Sequence, residues 1–107
     1  MPIVLHVNYT PSAAQQAQTA EERIAAAHRI TELDGFGWKI WVRNAETNAR
    51  GGIYLFDDLT TARAWGESVR ERLGNGGATN LTVTYFEIDP EPSAVTHAPI
   101  KIAAAVS

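Results

Sequence analysis

The strongest limit on what this chain can fold into lies in residues 35–58, GFGWKIWVRNAETNARGGIYLFDD. Residues 36–43 and 52–57 are dense in aromatic and β-branched side chains, and the connection at 44–51 is polar. Such residues favour extended backbone, and two runs so joined pair as an antiparallel hairpin. An isolated two-stranded hairpin is marginally stable at best, so the flanking segments must supply further strands or helices to pack on it.

Both flanks do so. Residues 2–9, PIVLHVNY, alternate Ile3, Leu5, Val7 and Tyr9 against Val4, His6 and Asn8, the period of a strand with one strongly apolar face. Residues 81–88, LTVTYFEI, repeat the pattern with Leu81, Val83 and Tyr85 against Thr82, Thr84 and Phe86. Residues 12–33, rich in Ala, Gln and Glu, predict one long helix that begins irregularly near Pro11. Thr19-x-x-Glu22 is a capping box within it, Ile24, Ala27 and Ile30 share one side, and Asp34-Gly35 ends it. Asp58 caps a second helix whose stripe is Ala62, Trp65, Gly66, Val69 and Leu73, and Gly74-Asn75-Gly76-Gly77 stops it.

The element order is therefore β-α-β-β-α-β, which predicts an α+β, ferredoxin-like fold: a four-stranded antiparallel sheet backed by two helices. At 107 residues the chain makes a single domain, 1–107, with residues 90–107 as a proline-interrupted C-terminal tail. Two helices cover one face of the sheet only. The other face predicts a sheet-to-sheet homodimer, with the tail docking on the partner or lying across a cavity mouth.

Composition narrows the function. With no cysteine there is no disulfide, thiolate nucleophile or zinc–thiolate site, so stability must come from packing or assembly. The formal net charge is −3, with Lys and Arg scattered along the chain, so no nucleic-acid partner is expected. No apolar run approaches a bilayer span and the N-terminus lacks a basic signal region, so a cytoplasmic protein without membrane contact is expected.

The hairpin also carries a family pattern: Gly35-Phe36, Trp38-Lys39 and Trp41, then Gly51-Gly52-Ile53-Tyr54-Leu55-Phe56 and Asp58, with Ala62 and Trp65 beyond. In these residues the chain resembles the YdhR-like monooxygenases of the dimeric α/β-barrel superfamily. The likeness continues more weakly through Arg72-Leu73, Phe86 and the acidic-proline turn, from residue 33 onward. The resemblance implies a dimer that closes a barrel, with a small organic molecule bound in a pocket of each protomer. It further implies a monooxygenase that oxidises a planar phenolic or polyketide-like substrate without flavin, metal or haem, molecular oxygen being the co-substrate. A polyketide-type cyclase or isomerase, or a non-catalytic small-molecule-binding protein, is the alternative on the same fold.

Candidate site residues follow from strand parity. If Trp41 pairs with Tyr54, then Lys39, Trp41, Tyr54 and Phe56 share one face, and Ile40, Val42, Ile53 and Leu55 the other. The aliphatic face suits the helices, leaving the aromatic face to stack a planar ligand or to fill a dimer core; both remain open. Trp38, on the face opposite Trp41, and Trp65, in the helical stripe, are candidate pocket walls or simple core. His28 borders the stripe of the first helix and is a further candidate. His6 is the candidate base, with Lys39 and Asn8 as anion stabilisers, although a histidine there also serves as a hydrogen-bonded structural residue. His6, His28 and His97 lie too far apart for metal-ligand spacing, so no metal site is expected. In Asp57-Asp58 the second carboxylate is spent as a helix cap, and LGNGGATN lies after a helix rather than before one, so neither is a catalytic or phosphate-binding motif.

Overall fold

The structure, a computed structural model, describes residues 1–100. In chain order it contains β1 (Ile3–Thr10), α1 (Ala13–Gln16), α2 (Ala20–Ile30), β2 (Phe36–Asn44), β3 (Ala49–Phe56), α3 (Leu59–Asn75), β4 (Thr79–Glu87) and α4 (Pro90–Val95). The four strands form one antiparallel sheet in the order β2-β3-β1-β4, the ferredoxin-like arrangement expected from the pattern.

The single first helix expected from composition is in fact two. Ser12 accepts from the Gln15 N–H while the Gln15 side chain accepts from the Ser12 N–H, a capping box that starts α1. Thr19 and Glu22 make the anticipated second box and start α2. An N-cap residue must be extended, and Thr19 is (φ −76°, ψ 162°), so a second cap seven residues after the first forces a break. Asp58 caps α3 as expected, accepting from the Thr61 N–H at 2.9 Å, and α3 ends at Gly76.

The core lies between helices and sheet. Ile3, Leu5 and Val7 of β1 and Tyr54 and Phe56 of β3 meet Ile30 of α2 and Ala62 and Val69 of α3. This corrects the expected face assignment. The register sets Phe56 beside Ile3, Tyr54 beside Leu5 and Gly52 beside Val7, so the aromatic face of the hairpin looks at the helices. Trp41 pairs with Gly52, and Lys39 with Tyr54, a two-residue shift from the assumed pairing that keeps every side chain with its own set. The helices can accept rings because their inner faces are built from small residues. Ala62 and Gly66 of α3 are buried, and a Cβ on Gly66 would stand 2.2 Å from the Tyr85 hydroxyl.

Val4, His6, Asn8, Ile40 and Ile53 consequently lie on the face away from the helices, with Phe86. Ile40 and Phe86 are 52% and 48% exposed, large apolar side chains left in water. The register slips at Gly37, which turns Phe36 into the core against Phe56 and Trp38 onto this second face beside Leu55. There the Trp38 indole N–H donates to the Pro99 carbonyl at 2.6 Å, so the segment after α4 folds back onto its own sheet. Residues 101–107 of the expected docking tail lie outside the described residues. No described helix is long and apolar enough to cross a membrane.

Candidate functional site

The sheet and helices do not close completely. Between β2, β3 and the second half of β1 on one side and α2 and α3 on the other lies an open-mouthed cavity of about 770 Å³. That is within the range of small-molecule sites, roughly 300–1,000 Å³. Its apolar wall includes Val7, Ile30, Leu33, Val69 and Leu73. Its aromatic wall is Trp41, Tyr54 and Trp65, with Tyr54 and Trp65 edge to face at 6.4 Å between centroids.

Lys39 is the unusual member. Its Nζ stands 3.3 Å from the centroid of the Trp41 ring and 4.7 Å from that of Tyr54. Gly52, opposite Trp41 in the ladder, makes this possible: a Cβ there would sit 2.5 Å from Lys39 Cε and 3.1 Å from Tyr54 Cε1. No carboxylate among the described residues pairs with the amine. Burial, reinforced by the Arg72 charge, pulls the Lys39 ammonium down to about 7. Near neutral pH this amine both accepts and returns protons, which an ordinary surface lysine does not.

Three further groups surround this amine. Burial pushes the Tyr54 hydroxyl above its usual range, with the Trp65 indole and the Arg72 charge working against that rise. The buried Trp65 indole N–H is close enough to the Tyr54 hydroxyl to act on it but does not reach full hydrogen-bond geometry, while the Arg72 guanidinium lies 4.6 Å from the Trp65 ring centroid. At the hairpin-turn end of the sheet, Tyr9 faces Arg50 in the ladder; burial raises its hydroxyl and Arg50 partly offsets this.

Of the residues singled out in the sequence, the fold brings together Lys39, Trp41, Tyr54 and Trp65. His6 and Asn8 are elsewhere: they alternate with Leu5 and Val7, so the sheet stands between them and the cavity, and His6 cannot share a site with Lys39 within one protomer. His28 is exposed on the last turn of α2 and does not reach the cavity, where Ala27 and Ile30 present instead. Phe56 is fully buried core, and Trp38 borders not this cavity but a smaller hollow of about 290 Å³ between β2 and the end of α2. Among the described residues no three potential metal ligands cluster.

Sequence reasoning missed Arg23, Arg29, Arg43, Arg50 and Arg72, all of which line the cavity. They are scattered in the chain and convergent in space. The signal was periodicity: Arg72 follows Trp65 by seven residues, Arg23 precedes Ile30 by seven, and Arg43 and Arg50 flank the hairpin connection symmetrically.

Comparison with known proteins gives a family. The family described as "Putative mono-oxygenase ydhR" matches residues 3–99. The chain belongs to this family. The match begins at β1, so the likeness seen from residue 33 onward extends through the first strand and both short helices. A solved structure described as a putative antibiotic biosynthesis monooxygenase from Deinococcus radiodurans superposes with a TM-score of 0.61 at 15% identity. The match covers 80% of this chain and 91% of that one. At that identity the likeness carries the fold, which this member of the ydhR family shares. Among curated proteins none matches the chain.

Proposed function

We propose that this ydhR-family protein is a cofactor-independent monooxygenase that oxidises a small planar phenol held in the cavity between sheet and helices. The observation that carries this reading is Lys39, a largely desolvated amine without a counter-ion among the described residues, laid across Trp41 and Tyr54 inside a ligand-sized space.

The chemistry follows from its surroundings. A planar phenol enters against the Trp41, Tyr54 and Trp65 wall, and neutral Lys39 takes its proton. The ammonium so formed is costly to bury alone, and the phenolate supplies the missing opposite charge, so the site favours the pair over either ion. The phenolate is electron-rich enough to reduce dioxygen itself. On a fused phenol with a ring methylene, one oxygen atom becomes the ketone oxygen at that carbon. The other leaves as water with the two methylene hydrogens, so the four-electron oxidation of carbon balances the four-electron reduction of O₂. In this scheme Lys39 replaces His6 as base, because His6 faces away.

The active unit in this reading is a homodimer joined through the helix-free face, which would cover Ile40 and Phe86. Phe86→Glu should then yield a folded monomer by sedimentation, and a variant that remains dimeric through the same face would remove this part of the proposal.

The catalytic reading is tested with 1,8-dihydroxyanthrone as substrate, following oxygen uptake and anthraquinone formation above the spontaneous background. Wild type should consume one O₂ per product, Lys39→Met should fall to background, and Lys39→Arg, which keeps charge but cannot act as a base near neutrality, should fall with it. Equal conversion under strict anaerobiosis would instead favour a cyclase or isomerase.

A further inference from the structure

The charge around the cavity is more specific than a planar phenol requires. Of the chain's nine basic residues, six line it: Arg23, Arg29, Lys39, Arg43, Arg50 and Arg72. None of the twelve acidic residues does. The chain as a whole is acidic, so this is a local concentration and not a consequence of net charge.

Folding does not account for it. Among the described residues the ion pair is Arg70 with Glu67 on α3, and none of the six takes part in one. Arg43 and Arg50 stand directly opposite each other in the β2–β3 ladder, on the cavity side. Like charges so placed weaken a strand pair, and a hairpin selected for stability alone would put a carboxylate at one of the two positions. Arginine, unlike Lys39, stays charged at every working pH, so the Arg43–Arg50 end of the cavity remains cationic whichever form Lys39 takes. The wall between the two ends is apolar and aromatic.

We infer that the natural ligand is an organic anion: a planar aromatic with one end at Lys39 and, at the other, a carboxylate held by Arg43 and Arg50 beside the β2–β3 connection. This rests on the cavity being the ligand site proposed above and adds the ligand's charge class. A bidentate guanidinium–carboxylate contact suits the arginines, and placing the anion there removes the Arg43–Arg50 repulsion, so binding and hairpin stability rise together.

The test uses two dyes of the same aromatic frame, 8-anilinonaphthalene-1-sulfonate and N-phenyl-1-naphthylamine, which differ by one permanent negative charge. On the full chain at low salt the anionic dye should bind at least tenfold more tightly, the two should compete for one site, and the preference should shrink as salt rises. Arg43→Gln/Arg50→Gln should lose most of the preference while holding the neutral dye unchanged. Arg63→Gln/Arg70→Gln, outside the cavity lining, should keep it. Equal affinity for the two dyes, or a preference lost equally in both double variants, overturns the anionic assignment and leaves the cavity a ligand site. Binding of neither dye overturns the cavity as the site and this inference with it. Should the Arg43/Arg50 variant unfold, the salt dependence of the wild-type preference still decides.

Discussion

Replacing Lys39 by Met keeps most of the unbranched side chain but removes the titrating amine that lies over Trp41 and Tyr54. The free ammonium loses its proton near 10.5, and in the folded protein near 7. A folded-state value below the unfolded one means that the unfolded chain binds more protons between those limits, so the Lys39 contribution to stability rises with pH across that window. At pH 6 both states are protonated and the wild type bears the whole burden of a largely desolvated cation; by pH 9 the folded amine is neutral while the unfolded one is still charged. Linkage puts the change between pH 6 and pH 9 at roughly 2–3 kcal/mol. Lys39→Met lacks this term. The variant should therefore be the more stable protein at pH 6, and its advantage should shrink by that amount at pH 9. For a domain of this size, this corresponds to roughly 10–20 °C in the difference between thermal midpoints. Melting both proteins at matched concentration, at pH 6, 7.5 and 9, cancels every other titrating group they share. A difference that stays flat across the three pH values would falsify the claim that Lys39 is held as a largely desolvated amine without a counter-ion.

Gly52→Ala pushes a methyl group against Lys39 Cε, the movable end of a flexible chain, so the fold should tolerate it while the amine swings off Trp41 and Tyr54. The pH-dependent term just described should fall by half or more in that background, read from the same melts. Gly66→Ala meets the Tyr85 ring, which is packed against the core and cannot yield as easily, and overpacking of this kind costs about 1–3 kcal/mol; urea unfolding would register it. His6→Ala, across the sheet from the cavity, should leave dye binding and anthrone oxidation at wild-type levels, and a loss of either without a loss of stability would return His6 to the site.

The element order was legible because it rests on local rules: period-two alternation at β1 and β4, the aromatic hairpin, and the Asp58 cap are each decided by a few neighbouring residues. The break between α1 and α2 was not, because Ser12-x-x-Gln15 and Thr19-x-x-Glu22 are both good starts and an Ala-rich segment offers no propensity against running through. Which sheet face met the helices was a harder matter. Strand parity correctly grouped Lys39 with Trp41, Tyr54 and Phe56, but both faces of the hairpin are apolar, and hydrophobicity alone cannot choose between them.

What does choose is volume. The buried positions of α3 are Ala62, Gly66 and Val69, a shallow surface that aliphatic side chains from the sheet would leave under-packed, whereas Tyr54 and Phe56 fill it and Tyr85 reaches as far as Gly66. Large residues on the sheet and small ones on the helix are complementary across the layer, and that rule, applied to the sequence, would have turned the aromatic face inward. The cavity follows from the same mismatch. Where the sheet presents Gly52 to the cavity that Ala26 and Ala27 of α2 also line, small residues meet, and neither layer supplies the volume to close the gap. A chain that needed only a core would place a leucine at one of those positions. Here the gap is kept open and bordered by Lys39 and five arginines, so the residues withheld from packing and those withheld from ion pairing surround one space.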